Sequence, residues 1–583
     1  MRGVSAGPDR TTVAHGTTVV LERRARVLDD GAVLLGGSPP RMLYLSPAAA
    51  DRLAEGRLTV SDATSAALAR RLLDAGIAHP VAEPTATVPP PSDVTVVVPV
   101  KDRTDGLARL LAALIVDGGK GVPPAQGPQP SRGRRGLGED AVDGDAAADP
   151  SPRGPGAAGG RAGGGAGPPG GASGAAGGAR GAAGGGSGAA GGARGAAGGA
   201  REAAGGAREA AGGGSGAAGG SSAGLRVIVV DDGSADPAAV RAVAERAGAA
   251  VLRHPTPRGP AAARNAGLAA ARTPLVAFLD SDVVPEPGWL EPLLARLADP
   301  AVGLVAPRIV ALPPVTGWLG RYEAVRSSLD LGPDPALVVP RSRVAYVPSA
   351  ALLVRREAVG PGFDEDMHVA EDVDLVLRLH AAGWRLRYEP TARVAHDHRT
   401  SLRAWWLRKA FYGTGAAPLA LRHRGAVPPM VLSPWAALTS ALLLARRPGA
   451  AAAVSAVAAY RLSTKLGRLR HPRPTAARLI ALGAVGAAAQ TADAVTRHYW
   501  PLAVVAALCS RRARGTVAAV ALGSGVLDWW RAGPERPALP AFLLARRLDD
   551  LAYGSGLWWG AAQHRTLAPL RPVGPTERAT PKD

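Results

Sequence analysis

Three short runs of branched aliphatic residues constrain this chain most: Val94-Thr95-Val96-Val97-Val98-Pro99-Val100, Leu225 to Val230, and Leu275-Val276-Ala277-Phe278-Leu279. None alternates apolar with polar, so each strand must be covered on both faces, and each is too short for a helix. Helical spacing follows the first, over Leu107 to Ile115, and the second, from about Pro237. Strand, helix and strand in this order specify a parallel α/β sheet. Ligands of such sheets bind beyond the C-terminal strand ends, where this chain carries Asp231, Asp232, Asp280 and Asp282.

The sheet is interrupted after its first helix. Between about 118 and 224 the chain is Gly, Ala, Pro and Arg, and repeats the heptad Gly-Ala-Arg-Gly-Ala-Ala-Gly with almost no large apolar residue. Such a segment buries too little surface to offset its ordering entropy, so disorder is the expectation. Its glycines and the lack of a leucine or isoleucine seam exclude a coiled coil. An expanded repeat tolerated in a surface loop is preferred over a working tether.

Three regions follow. Residues 1–90 combine short strands near Val19 to Leu21 and Ala32 to Leu35 with helices near Pro47 to Leu53 and Ala66 to Ala75, a small α/β unit of winged-helix size that ends in a Pro-rich joint, Pro84 to Pro91. Residues 91–425 hold the interrupted α/β domain. Residues 426–583 are Ala/Leu/Val-rich and expected to be helical. Their uncharged runs are Val427 to Ala445, Pro448 to Tyr460, Leu479 to Ala492 and Thr516 to Leu527. Only the first approaches membrane-spanning length, and Pro428, Pro429 and Pro434 interrupt it. Nine of the eleven tryptophans lie from Trp384 onward and arginines flank the runs, which points to the cytoplasmic face of a membrane.

The formal charge of +20 would suit nucleic acid, but only five lysines occur and no basic run is interleaved with aromatics, so nucleic acid is not expected as a partner. The single cysteine, Cys509, excludes an intrachain disulfide framework, and the first thirty residues lack an apolar signal core.

At the strand ends the acidic residues acquire chemistry. Asp231 can accept hydrogen bonds from a base edge or ribose hydroxyls, although Asp-Gly-Ser is equally an ordinary turn with a helix cap. Asp280-Ser281-Asp282 closes the next strand. In an extended segment residues two apart share a side, so the two carboxylates can hold one divalent cation that bridges two phosphates. Like charges so close repel without a cation. Arg264, on a helix opening at Pro260, can offset negative charge, or be an exposed arginine in an arginine-rich chain. Glu371 and Asp372 start another helix, where the dipole alone would favour acids. Where an acceptor hydroxyl must lose its proton as a bond forms, one carboxylate has to stand beside it, and Asp372 is the candidate, with Glu371 placing the acceptor. His396, at a strand end, can complete metal coordination, ahead of His398.

In order, Val98-Pro99-Val100-Lys101-Asp102, Val230-Asp231-Asp232-Gly233-Ser234, Ala263-Arg264-Asn265, Leu279-Asp280-Ser281-Asp282 and Glu371-Asp372 resemble the family 2 glycosyltransferases. The resemblance implies a GT-A nucleotide-sugar-binding domain with a mixed, mostly parallel sheet. It places nucleotide-sugar contacts at Pro99, Val100, Lys101, Asp231, Arg264, Asp280 and Ser281, a metal (Mn²⁺ or Mg²⁺) at Asp280, Asp282 and His396, and an inverting base at Asp372. The Gln/Arg-x-x-Arg-Trp motif of processive synthases is missing; the chain reads Ser401-Leu402-Arg403-Ala404-Trp405-Trp406-Leu407-Arg408-Lys409 instead.

The three-part architecture is similar to that of the mycofactocin-system glycosyltransferases. That likeness implies UDP-glucose as donor, a peptide-derived redox cofactor as acceptor and a β-1,4-linked oligosaccharide as product. The first unit also resembles the small peptide-chaperone domain of the pyrroloquinoline quinone pathway, which implies either peptide capture or a structural cap. The rival readings are a cell-wall or lipid-linked glycan transferase, a sugar nucleotidyltransferase, which would want glycines that Val98 to Arg103 lacks, and a winged-helix nucleic-acid reader at residues 1–90.

Overall fold

The structure, a computed structural model, describes residues 13–81, 88–118, 225–575, 577 and 580–581. The repeat insert from 119 to 224, residues 82–87 of the Pro-rich joint and the first twelve residues lie outside the described residues.

The N-terminal unit comprises β1 (Thr18–Leu21), β2 (Arg26–Leu28), β3 (Val33–Gly36), β4 (Arg41–Tyr44), α1 (Pro47–Arg52), β5 (Arg57–Thr59), α2 (Ala63–Asp74) and β6 (Ala78–Pro80). Its strands form two antiparallel sheets, β5-β1-β6 and β2-β3-β4. Helix α2 begins where Asp62 and Ser65 cap one another: Asp62 Oδ1 accepts from Ser65 N at 2.7 Å and Ser65 Oγ from Asp62 N at 2.9 Å. It ends before Gly76, at φ +64°. Ala69, Leu72 and Leu73 on its inner face pack with Val19 and Leu34.

The central domain contains β7 (Val94–Val100), α3 (Thr104–Gly118), β8 (Arg226–Asp232), α4 (Pro237–Arg246), β9 (Ala250–His254), α5 (Pro260–Ala270), β10 (Leu275–Leu279), β11 (Val283–Pro285), α6 (Leu290–Leu297), β12 (Val302–Ala311), α7 (Gly317–Arg326), β13 (Ala336–Leu337), β14 (Ala351–Arg355), α8 (Arg356–Val359), α9 (Glu371–Ala381) and β15 (Arg385–His396). The sheet runs β11-β15-β12-β14-β10-β7-β8-β9, with β13 on β15. Strands β10, β7, β8 and β9 are mutually parallel, as are β12 and β15; β14 runs against its neighbours, and β11 and β13 are antiparallel to β15.

Both faces are covered, which is why β7 reads as an unbroken apolar run. Val94, Val96, Val98 and Val100 pack with Leu107, Leu110 and Leu111 of α3. Val97 faces the other way, toward α5 and α9. Each fully buried valine contributes roughly 1.5–3 kcal/mol relative to exposure. The N-terminal unit is tied to the sheet end where β12 and β15 begin: Arg385 reaches Asp74 at 2.6 Å and Asp299 at 3.0 Å.

The C-terminal region is helical: α10 (Leu402–Thr414), α11 (Ala416–Arg422), α12 (Pro434–Leu444), α13 (Pro448–Lys465), α14 (Pro472–Asp493), α15 (Trp500–Cys509), α16 (Arg511–Arg531) and α17 (Leu539–Gln563). The apolar run at Val427 to Ala445 yields only the short α12, because Pro434 opens the helix and the residues before it are irregular. The helix with spanning length is instead Pro472–His498, α14 extended by a π turn, and 22% of its most apolar stretch is buried. In the sequence only Leu479 to Ala492 of this helix reads as an uncharged run, because Arg473 and Arg478 precede it.

Helices α10 and α17 are clamped together at glycines. A Cβ at Gly556 would overlap the Ala410 carbonyl oxygen, and one at Gly413 the Tyr553 carbonyl oxygen. Buried polar groups join the pair to α7: Lys409 Nζ lies 3.0 Å from Glu323 Oε1, Trp405 Nε1 donates to the same oxygen at 2.8 Å, and Tyr322 OH donates to Asp549 at 3.1 Å.

Candidate active site

A cavity of about 630 Å³ opens beyond the C-terminal ends of β7, β8 and β10 and extends to α10 and α17. Pro99, Val100, Lys101, Arg264, Asp280, Ser281, Asp282, Glu371, Asp372 and His396 all line it. Among the described residues, none that lines it comes from the N-terminal unit.

The loops after β7 and β8 are laced together. Asp102, at φ +55°, donates its backbone N–H to Ser234 Oγ at 3.0 Å and accepts from Ala235 N at 2.8 Å. The acidic pair of β8 splits as strand alternation requires. Asp231 is 1% exposed and does not line the cavity; it accepts from Ser234 N at 2.9 Å and pairs with Arg253, its register partner on β9. Its neighbour Asp232 lines the cavity instead. Burial opposes ionisation of Asp232, but donors from Arg258 N, His254 and Gly259 N outweigh it and hold the carboxyl below its ordinary value. Asp232 is therefore the member of the pair that faces the cavity, and Asp231 is buried in the turn.

Asp280-Ser281-Asp282 is a tight turn rather than an extended segment: Val283 N returns to the Asp280 carbonyl at 3.2 Å and β11 follows at once. The first turn of α3 presses on it. A Cβ at Gly106 would overlap the Ser281 carbonyl oxygen, so only glycine lets the helix approach this closely. Antiparallel pairing of β11 with β15 sets Val283 opposite His396 and brings His396 Nε2 to 3.7 Å from Asp282 Oδ1.

Arg264 is buried, not exposed. Its guanidinium bridges Asp280 Oδ1 at 2.7 Å and Glu371 Oε1 at 2.8 Å, and lies 5.3 Å from the Phe363 ring centroid. Burial acts against its charge, yet Asp280 and Glu371 more than compensate and hold it firmly protonated. The neighbouring Asp372 accepts from Ser349 N at 3.1 Å and from Val373 N at 2.8 Å. Burial first, and then Glu371, push its carboxyl up to about 6. Farther along α9, Asp374 is fully buried against His423 at 2.7 Å and Arg378 at 2.7 Å, anchoring the helix that presents the acidic pair.

Asp282 is likewise raised, by burial and by Asp280 over the opposing pull of Arg103, whose Nη1 sits at 3.0 Å. Burial depresses His396 to about 4, so its imidazole is neutral near pH 7. Two carboxylates with a neutral imidazole fit a divalent cation by donor chemistry. Among the described residues no three such side chains yet surround one point, because Asp280 is turned onto Arg264. Arg399 and Arg408, which sequence reasoning did not single out, face this corner too. Arg399 is made more acidic by burial, Arg408 and Arg103, a concentration of cations suited to polyphosphate. In the sequence they sit where the processive-synthase motif is missing, with no pattern of their own to mark them.

A mixed sheet of this order with acidic residues beyond its C-terminal strand ends is that of a glycosyltransferase of GT-A fold, and residues 221–359 match the model of glycosyl transferase family 2. The pre-mycofactocin glycosyltransferases of two Mycobacterium tuberculosis strains are each 41% identical over 580 residues, 96% of this chain and 98% of theirs. The chain belongs to that family of glycosyltransferases. An uncharacterized glycosyltransferase of Mycobacterium bovis is 37% identical over 28% of this chain and 71% of its own. A solved mannosyltransferase from Pyrobaculum calidifontis, in complex with GDP-Man and Mn²⁺, aligns with 53% of this chain and 78% of its own at 23% identity and a TM-score of 0.27.

Proposed function

We propose that this enzyme transfers glucose from UDP-glucose, with inversion, to the peptide-derived precursor of mycofactocin. The observation that carries the reading is Asp372: a carboxylate with an affinity for protons suited to general-base work near neutrality, placed beside the bridge from Glu371 through Arg264 to Asp280. The acceptor comes from the name of the relatives that match along nearly their whole length.

In the reaction, Asp372 takes the proton from the acceptor hydroxyl as its oxygen attacks the anomeric carbon. Arg264 holds Glu371 and Asp280 in place, and Arg399 and Arg408 offset the charge that accumulates on the departing diphosphate. Asp280, Asp282 and His396 would hold a divalent cation, Mn²⁺ or Mg²⁺, which when bound supplies Lewis-acid stabilisation of that diphosphate.

In this proposal the catalytic unit works at the cytoplasmic face of the membrane. Supporting this are outward-facing Leu438, Val457, Leu482, Val485, Val505, Leu508 and Trp530, each more than half exposed on the C-terminal helices. The same exposure favours a second reading, transfer to a lipid-linked glycan.

The test is incubation with UDP- and GDP-sugars, with and without Mn²⁺ or Mg²⁺, and with pre-mycofactocin or a lipid-linked glycan as acceptor. UDP-glucose consumption that needs pre-mycofactocin and stops on chelation supports the proposal. Transfer only to the lipid-linked glycan, or undiminished transfer under chelation, contradicts it.

A further inference from the structure

The cavity continues past Asp372, and its far wall includes residues of the C-terminal helices. Tyr346, on the loop before β14, and Tyr553, on α17, line that wall with Tyr412 of α10. Tyr346 is 37% exposed and Tyr412 38%, so aromatic surface is left open where the chain otherwise closes around Asp372. Tyr553 is fixed in place: the Arg497 guanidinium lies 4.9 Å from its ring centroid and the His498 ring 6.1 Å away.

A second observation points to a ligand at the same wall. Asp549 is 5% exposed and lines the cavity; its Oδ2 is held by Tyr322 OH at 3.1 Å and Arg497 at 3.4 Å, whereas its Oδ1 has no hydrogen-bond partner, with Lys409 Nζ at 3.8 Å. His498 Nδ1 is also buried without a hydrogen bond. Buried polar atoms left without partners cost on the order of 1–3 kcal/mol each, a penalty that a ligand bearing hydroxyl or amide donors removes.

We propose that this wall is the acceptor site: the acceptor lays a flat ring face against Tyr346 and Tyr553, gives hydrogen bonds from its edge to Asp549, and thereby turns its reacting hydroxyl toward Asp372. The proposal rests on Asp372 being the base of the reaction above. The ligand class is a ring with an apolar face and hydroxyl or amide donors at its edge, a description that fits the ring of a peptide-derived cofactor and the face of a glucosyl unit alike. The helical region thus completes the active site, and the glycine clamp between α10 and α17 holds Tyr553 and Asp549 at the distance the acceptor needs.

The experiment measures initial rates of the full-length protein with UDP-glucose and either pre-mycofactocin or cellobiose. Tyr346→Ala and Tyr553→Ala are expected to raise the acceptor KM about tenfold while the donor KM stays within about twofold, the loss of one aromatic contact. The melting temperature of each alanine variant is measured beside its rates, and a risen acceptor KM in a variant that melts as the wild type does excludes a folding defect. An unchanged acceptor KM in both alanine variants, or a donor KM that rises equally, overturns the proposal. Wild-type transfer to cellobiose alone would refute the pre-mycofactocin reading, and the wall would then be judged on the cellobiose KM by the same criterion. Transfer to neither acceptor overturns both.

Discussion

Arg264 and Asp280 meet at 2.7 Å, and the same guanidinium joins the acidic turn at the end of β10 to the start of α9. One guanidinium, 4% exposed at its side chain, serves a member of the acidic turn with Nη2 and Glu371 with Nη1. Geometry of this kind needs a planar fork, which an ammonium cannot provide.

Arg264→Lys is therefore expected to lose most activity although the charge is kept. Arg264→Gln leaves Glu371 buried without its partner and is expected to destabilise by about 3 kcal/mol, the low end for a broken buried pair because Asp280 remains partly solvated. Denaturant midpoints and transfer rates of both variants check this; a lysine variant of wild-type activity would show that bridging is dispensable.

The pH profile follows from Asp372. Its carboxyl is pushed up to about 6, so the ionised, proton-accepting form prevails above that pH and is lost as pH falls through it. Turnover should drop on an acid limb centred near pH 6. Stability has the opposite dependence: a carboxyl whose pKa rises on folding stabilises the fold below its ordinary value, and that contribution vanishes as pH climbs through about 6. Rate and melting temperature measured from pH 5 to pH 8 should thus change in opposite senses as this group titrates, and a flat rate profile would count against Asp372.

Gly106→Ala adds a single methyl group where α3 meets the Ser281 carbonyl. Backbone has to move to admit it, and the nearest backbone is that of the acidic turn. The expected result is a fold that survives at a cost of about 1–3 kcal/mol and a transfer rate reduced at least tenfold. Full activity would mean that the placement of Asp280 and Asp282 tolerates displacement.

Lys409 is buried between Glu323 at 3.0 Å and Asp549 at 3.8 Å. Burial disfavours its charge, and Asp549 and Glu323 overcome that and raise its affinity for protons. Lys409→Met leaves Glu323 buried without its cation, while Asp549 keeps Arg497 at 3.4 Å, and should destabilise by about 3 kcal/mol, read from chemical denaturation. A neutral effect would place the ionic junction of α7, α10 and α17 outside the stability of the fold.

Much of this was legible in the residues. The unbroken aliphatic runs gave β7, β8 and β10 nearly to the residue, because strands covered on both faces admit no polar position, and Asp280 to Asp282 and Glu371 to Asp372 fall where strand ends and helix starts place them. Local pattern did not reveal which of Asp231 and Asp232 faces the cavity, since that depends on which strand face each side chain occupies and on the Arg253 partner across β9. It also misjudged α14, whose arginines near its start hid a helix of spanning length. Nor did it find Tyr346, Tyr553 or Asp549: the last two sit one helical turn apart on α17, Tyr346 lies far from them in the chain, none carries a motif, and only tertiary packing sets them around one cavity.

The role of Asp372 is tested most directly by mixing the protein with UDP-glucose and pre-mycofactocin in a single turnover and comparing the wild type with Asp372→Asn. If Asp372 is the base, the variant binds donor and acceptor as the wild type does, folds at least as stably near neutral pH, and forms glucosylated product at least about a hundredfold more slowly. Product formation by the correctly folded variant at the wild-type rate would contradict it.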